Sequence, residues 1–269
     1  MNEPSQKPFF VGYLDMPTRL KRFYTALTVL LFAFAAATGY TIAAQQKSAG
    51  PASWLTDATQ TISGLLVVDP YPVLHRIDPA DPERTESILL VNQGKISADD
   101  LAGPFHDKMV SITGYLIRRG GWRMHELASQ RPITAYEDSG DDALRARLAA
   151  SAKPTSLGAV ALSGEVADSK CFLGVMKPGV GAVHKACAEV CLLGGIPAML
   201  LVRGEDDKKY GYMLIQPDGS SASKSLARRA ADRVEIAGEL QQRGDLLYIK
   251  MNEKPHGLPR RGLGRSGSE

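Results

Sequence analysis

Three cysteines and one histidine stand together in Cys171-Phe-Leu-Gly-Val-Met-Lys-Pro-Gly-Val-Gly-Ala-Val-His184-Lys-Ala-Cys187-Ala-Glu-Val-Cys191, and the chain of 269 residues has no other cysteine. Three thiolates and an imidazole form a complete tetrahedral set for a soft or borderline metal ion. Zinc suits such a set as a closed structural site, and copper(I) suits the thiolates. An Fe–S cluster is satisfied on ligand count alone, and a Rieske centre would require a second histidine. Met176 and Met199 offer thioethers nearby but read as core residues. The same residues leave two other chemistries open. In an oxidising compartment Cys171 can pair with Cys187 or Cys191 as a structural disulfide, whereas Cys187 and Cys191 are poorly placed for each other on one helix. A thiol–disulfide redox protein would need an exposed thiolate of low pKa. The Cys-x-x-x-Cys spacing is not the usual Cys-x-x-Cys, and no thioredoxin-like βαβ pattern surrounds it.

The elements around these residues must bring them together. Pro178-Gly179 and Gly181 interrupt the chain after Cys171. From Ala182 good helix formers follow, ending at Gly194-Gly195 with Pro197 beyond. His184, Cys187 and Cys191 then fall at i, i+3 and i+7, on one helix face. Cys171 joins them from a strand end or loop.

The frame that carries this insert occurs twice. Val110, Ile112, Gly114, Leu116, Arg119 and Gly120 match Val234, Ile236, Gly238, Leu240, Arg243 and Gly244 without a gap. Gly64 to Asp69 resembles Gly164 to Asp168, and Ile88-Leu-Leu-Val91 resembles Met199-Leu-Leu-Val202. The alternation in each copy predicts strands with one buried face. Gly114 and Gly238 mark a bulge or barrel bend, and Arg119-Gly-Gly121 and Arg243-Gly-Asp245 mark turns before the closing strands Trp122–Leu127 and Leu246–Met251. Asp207–Gln216 reads as a further strand and Ser220–Asp232 as a short helix. A fold that is mainly β, with two tandem OB-like barrels, follows. The first copy has no cysteine, so the thiols are an addition to one barrel. Asp69 and Asp168 recur at strand ends, where turn stabilisation is expected. His75, His106, His125 and His256 are scattered and read as surface or locally bonded residues. Asp99-Asp100, Asp141-Asp142 and Asp206-Asp207 read as solvated loops.

The run Gly164-Glu-Val-Ala-Asp-Ser-Lys-Cys171, His184-x-x-Cys187-x-x-x-Cys191, Gly194-Gly195-Ile-Pro-Ala-Met-Leu-Leu-Val202 and Val234-Glu-Ile-Ala-Gly238 resembles a group of small bacterial exported OB-fold domains of unknown function. The resemblance covers about residues 160–252 and implies a β-barrel with a thiol-rich insert, but no reaction. A membrane tether and a second barrel are not part of that pattern.

The compartment is read from Phe23–Ala44, an uncharged apolar run. It matches the roughly 20 residues a bilayer-spanning helix needs. Arg19, Lys21 and Arg22 precede it, so the N-terminus is expected in the cytoplasm and the rest in the periplasm. The run is longer than a typical signal core, which favours an uncleaved anchor. Thr41-Ile-Ala-Ala44 would suit cleavage in the alternative. The expected organisation is a cytoplasmic tail (1–22), a transmembrane helix (23–44), a linker (45–60), a first barrel (61–128), a connector (129–158) with a helix over Asp138–Ala152, a second barrel with the Cys/His site (159–252) and a disordered tail (253–269). A net charge of +3 and 7% aromatic residues argue against a nucleic-acid partner. No phosphate-binding loop and no Gly-x-Ser-x-Gly elbow occurs. The expected function is a non-catalytic, membrane-anchored accessory or assembly protein in the bacterial inner membrane, binding a metal or a partner beside a larger membrane complex. The alternatives are a periplasmic thiol–disulfide redox protein and a structural interaction module with one disulfide.

Overall fold

The computed structural model describes residues 16–45, 52–128, 131–136, 141–206 and 208–253. The chain divides after Ser48 into two compact units. The first contains helix α1 (Thr18–Gln45), which begins upstream of the apolar run and takes in Arg19, Lys21 and Arg22. Its 28 residues extend about 42 Å. Phe32, Phe34 and Tyr40 are exposed. The hydroxyls of Thr25 and Thr41 donate back to the carbonyls of Lys21 and Thr38, so neither needs an outside partner. By length and composition α1 qualifies as a membrane span or a signal sequence.

The second unit is mainly β. Its first half comprises β1 (Ala52–Trp54), β2 (Gln60–Val67), β3 (Val73–Asp78), β4 (Asp81–Val91), α2 (Asp99–Ala102), β5 (Lys108–Arg119), β6 (Trp122–Leu127) and β7 (Ile133–Ala135). They form a seven-stranded sheet in the order β1-β5-β2-β3-β4-β6, with β7 on β5 and a further pairing of β5 with β6. Helix α3 (Asp142–Ala152), N-capped by the Asp141 carboxylate on the Leu144 amide, leads to the second half. There follow β8 (Thr155–Asp168), α4 (Lys185–Leu193), β9 (Ala198–Arg203), β10 (Lys209–Ile215), α5 (Ser223–Leu226), β11 (Arg233–Arg243) and β12 (Leu246–Met251). The strands of this half close into a five-stranded barrel, β10-β12-β11-β8-β9.

The alternation seen in the sequence sets the strand faces. Val110 and Ile112 of β5 and Val234 and Ile236 of β11 are buried, and the residues between them are not. Gly114 pairs with Gln60 on one neighbour and Leu127 on the other; Gly238 pairs likewise with Val160 and Met251. Gly114 is thus where β5 leaves β2 and meets β6, and Gly238 is where β11 meets β12 while still paired with β8. A Cβ there would press on the carbonyl oxygen of Glu126 or Lys250. This is the bend that the spacing predicts.

Pairing corrects two of the internal matches. Gly64 and Gly164 do hold corresponding places in β2 and β8, but β2 ends at Val67 and its register aligns Val68, not Asp69, with Asp168. Ile88–Val91 lies in β4, however, and Met199–Val202 lies in β9, which pairs with β8 as β3 pairs with β2. The true counterpart of β4 is β10. Two apolar runs of equal length cannot be told apart by pattern alone.

Other stretches are more ordered or shorter than expected. β1 falls in the stretch read as linker and β7 in the one read as connector; both add to β5. Asp99 and Asp100 open α2 instead of lying in a loop. The helix expected over Ser220–Asp232 is only Ser223–Leu226 with a 3₁₀ turn to Arg229. Asp207, His256 and all but Glu253 of the tail lie outside residues described above.

The two halves share a core. Val73, Leu89, Val91, Ile117 and Met124 of the first half pack in one buried cluster with Leu173, Ile196, Met199, Leu201 and Met213 of the second. Each half also has its own apolar cluster.

Candidate functional site

Everything in the sulfur-rich segment follows from how the chain leaves β8. Asp168, the last residue of β8, is fully buried. One of its carboxylate oxygens accepts the Cys171 amide at 2.8 Å and turns the chain into a wide helical turn, Cys171–Val175. Lys170 leaves in the opposite direction. Its ammonium donates to the carbonyls of Asn92 and Gly94 and to Glu126 of the first half, at 2.9, 2.7 and 2.7 Å. A 3₁₀ turn, Ala182–His184, then starts α4. This helix ends in a Schellman cap: Ile196 donates to the Cys191 carbonyl and Gly195, at φ +87°, to that of Leu192. Gly194 is needed for another reason. A Cβ on it would collide with the Lys95 carbonyl, and its own carbonyl accepts the Ser97 amide. The Gly-Gly pair thus seats the 92–97 loop of the first half against the end of α4.

This packing gathers the predicted ligands as two groups that share Cys171. The sulfurs of Cys171, Cys187 and Cys191 lie within 4.8 Å of one another, and so do the ligand atoms of Asp168, Cys171 and His184. Cys171 and Cys191 are buried in the core shared by the halves, and Cys187 is half-buried at its edge. All three thiols are free. His184 is buried and its Nε2 lies 3.2 Å from the Asp168 carboxylate. A carboxylate accepts only, so Nε2 carries the proton and the lone pair sits on Nδ1. An imidazole held this way by a buried carboxylate is in the form that ligates metals.

The electrostatics favour charge on sulfur. A hydrogen bond from Cys171 holds the Cys191 thiol below its ordinary range. The same bond, and then burial, push Cys171 up. The two sulfurs are thus driven in opposite directions, Cys191 towards the thiolate and Cys171 towards the thiol. Lys95 adds a cation: its ammonium donates to the Cys187 sulfur at 3.2 Å, and this bond raises the lysine's own pKa.

Asp168 and Lys95 are the members that residue types alone do not announce. Asp168 was expected to stabilise a turn; it does so, and it also orients His184. Lys95 comes from the other half of the unit, and no sequence spacing links it to Cys187. Met199 is fully buried in the core and Met176 is exposed. Of the scattered histidines, His106 is exposed and His75, though buried, is bonded locally to the Ser87 hydroxyl at 3.1 Å, as expected; His125 is buried with neither ring nitrogen partnered among the described residues, which departs from that reading. No protein-family model matches the chain, and no curated protein matches it.

Proposed function

We propose that this is a membrane-anchored, periplasmic, non-catalytic accessory protein whose second barrel binds one metal ion through Cys171, Cys187, Cys191 and His184. The observation that carries the reading is the convergence of three free sulfurs within 4.8 Å, two of them in a water-poor core, beside an imidazole aligned by Asp168. Such a donor set suits zinc or copper(I), and an Fe–S cluster less well. The first half's pairings, which run from β5 through β2, β3, β4 and β6 back to β5, support two tandem OB-like barrels. The apolar α1 and the basic residues at its start support an inner-membrane anchor with a cytoplasmic N-terminus. A tether of this kind raises the local concentration of the barrels beside a larger membrane complex.

A second reading is favoured by one observation. The free thiols of Cys171 and Cys191, held together by a hydrogen bond that lowers the pKa of Cys191, with Cys187 half-exposed, would also suit a thiol–disulfide redox protein. Cobalt(II) titration of the reduced protein separates the two. The metal reading expects an intense thiolate-to-cobalt charge-transfer band saturating at about one ion per chain, and about 10–100-fold weaker binding in Asp168→Asn. Absence of the band, with a disulfide forming reversibly between Cys171 and Cys191, would favour the redox reading.

A further inference from the structure

We infer that the groove between the two halves is a second binding site, which takes a small organic anion carrying a flat ring. The groove has a volume of about 460 Å³ and is built from both halves: Arg84 of β4 and the β5–β6 turn on one side, β10 and the start of β12 on the other. That volume is within the range of small-ligand sites, roughly 300–1,000 Å³, which occur preferentially where two domains meet. Phe172 lines it, but none of the residues assigned to the metal does, so the two sites are distinct.

The lining combines two kinds of group. Rings come from Trp122, Tyr210, Tyr212 and Phe172. A Cβ on Gly211 would collide with the Met199 methyl and meet the Trp122 indole at 3.3 Å, so the glycine lets both side chains pack against its backbone. Charge comes from Arg84, Arg119 and Lys209. The Arg119 guanidinium stacks over the Phe172 ring, 4.6 Å from its centre. Against these cations the groove presents one carboxylate, Asp245, which is engaged by the Ser87 amide at 2.9 Å. Lys209 also faces Glu165 at 3.5 Å, so its charge is shared. Rings that stack and a surplus of cations select a flat ring joined to a carboxylate or a phosphate.

The test uses the full chain in detergent with Trp54→Phe, which leaves Trp122 as the single tryptophan. Two pairs of probes are titrated by Trp122 fluorescence and by calorimetry: 4-hydroxybenzoate against 4-hydroxybenzamide, and flavin mononucleotide against riboflavin. The inference expects at least one anion to bind at least about tenfold more tightly than its neutral partner, as charge-assisted hydrogen bonds require. Which pair responds distinguishes a carboxylate from a phosphate ligand. Arg84→Ala, at an exposed position, and Arg84→Ala with Lys209→Ala should weaken the anion progressively. No binding of either anion in the millimolar range, equal binding of charged and neutral probes, or unchanged affinity in both variants overturns it.

Discussion

The two halves of the β-rich unit have the same order of strand pairing but differ in what they insert after the first strand of the common pattern. In the first half the chain crosses from β2 to β3 through residues 68–72. In the second it crosses from β8 to β9 through residues 169–197, which hold all three cysteines and His184. Both crossings begin alike. The residue two past the recurrent aspartate is sent into the opposite half. Tyr71 donates its hydroxyl to the Leu214 carbonyl at 2.5 Å and accepts the Ala222 amide at 3.1 Å. Lys170 reaches the Asn92 and Gly94 carbonyls in return. The reciprocal anchors explain why the halves share a core. The thiol cluster is what the longer crossing adds once its anchoring is complete. The same lysine also fixes the 92–97 loop, and with it Lys95 beside Cys187, so the cation of the site depends on the anchor.

The halves differ inside as well. Arg76 and Glu86 face each other across β3 and β4, and Arg123 also reaches Glu86. The matching pair in the second half, Val202 and Tyr210, carries no charge. His125 is buried, and neither ring nitrogen has a protein partner among the described residues; Ile249 takes its place in β12. The first half thus buries His75, Glu86, His125 and Glu126 among its strands, whereas the buried charged and imidazole groups of the second half, Asp168, Lys170 and His184, lie at the insert.

The comparison can be broken at the anchors first. Lys170→Met leaves Glu126 buried without its cation, and should cost about 3–5 kcal/mol of stability in chemical denaturation. A loss below about 1 kcal/mol would mean that Lys170 does not hold the halves together.

Acid should act on the first half next. Burial lowers the pKa of His75 from 6.5 to about 4, and burial with the nearby Arg76 charge does the same to His125. Above pH 6.5 both rings are neutral in the folded and unfolded chain and contribute nothing to pH dependence. Between about 6.5 and about 4 the unfolded chain takes up protons that the folded rings refuse, so stability falls as pH falls, by up to about 3 kcal/mol per ring. His125→Ile, the residue of the second half, should remove roughly half of this loss from the pH profile of urea denaturation. An unchanged profile would show that the ring is not held neutral.

Tyr71→Phe is a milder probe of the reciprocal anchor. It leaves the Leu214 carbonyl and Ala222 amide without their shared hydroxyl, at about 1–3 kcal/mol in thermal or chemical melts. The smallest stability effect is expected at the half-buried corner of the insert. Cys187→Ser should change the stability of metal-free protein by less than about 1 kcal/mol while sharply lowering metal content. A large loss of stability without metal would make Cys187 a packing residue.

Much of this was readable from residue types. The alternation around Val110 and Val234, the recurrent Gly114 and Gly238, and the charge-free run behind α1 each reflect a local rule that holds regardless of tertiary context. The convergence of Cys171 with Cys187 and Cys191 was readable because two of the three share a helix and loop glycines let the third return. What escaped notice depends on long-range packing. Lys95 reaches Cys187 from 92 residues away. Tyr71 and Lys170 each stand two residues past an aspartate but have unlike side chains, so no match between copies exposes them. His125 sits in a strand whose pattern does not say that its neighbours would bury it. The mistaken match of Ile88–Val91 with Met199–Val202 has the same origin, because strand identity is decided by pairing and not by composition.

The most direct measurement is the metal content of the full-length protein, purified in detergent without chelators or added metal. The account predicts about one zinc or copper ion per chain, three reduced thiols after the ion is removed, and loss of the ion in Cys187→Ser with the fold retained. Metal-free protein that shows no affinity for either ion with its thiols reduced, or ion content unchanged by Cys187→Ser, would contradict it.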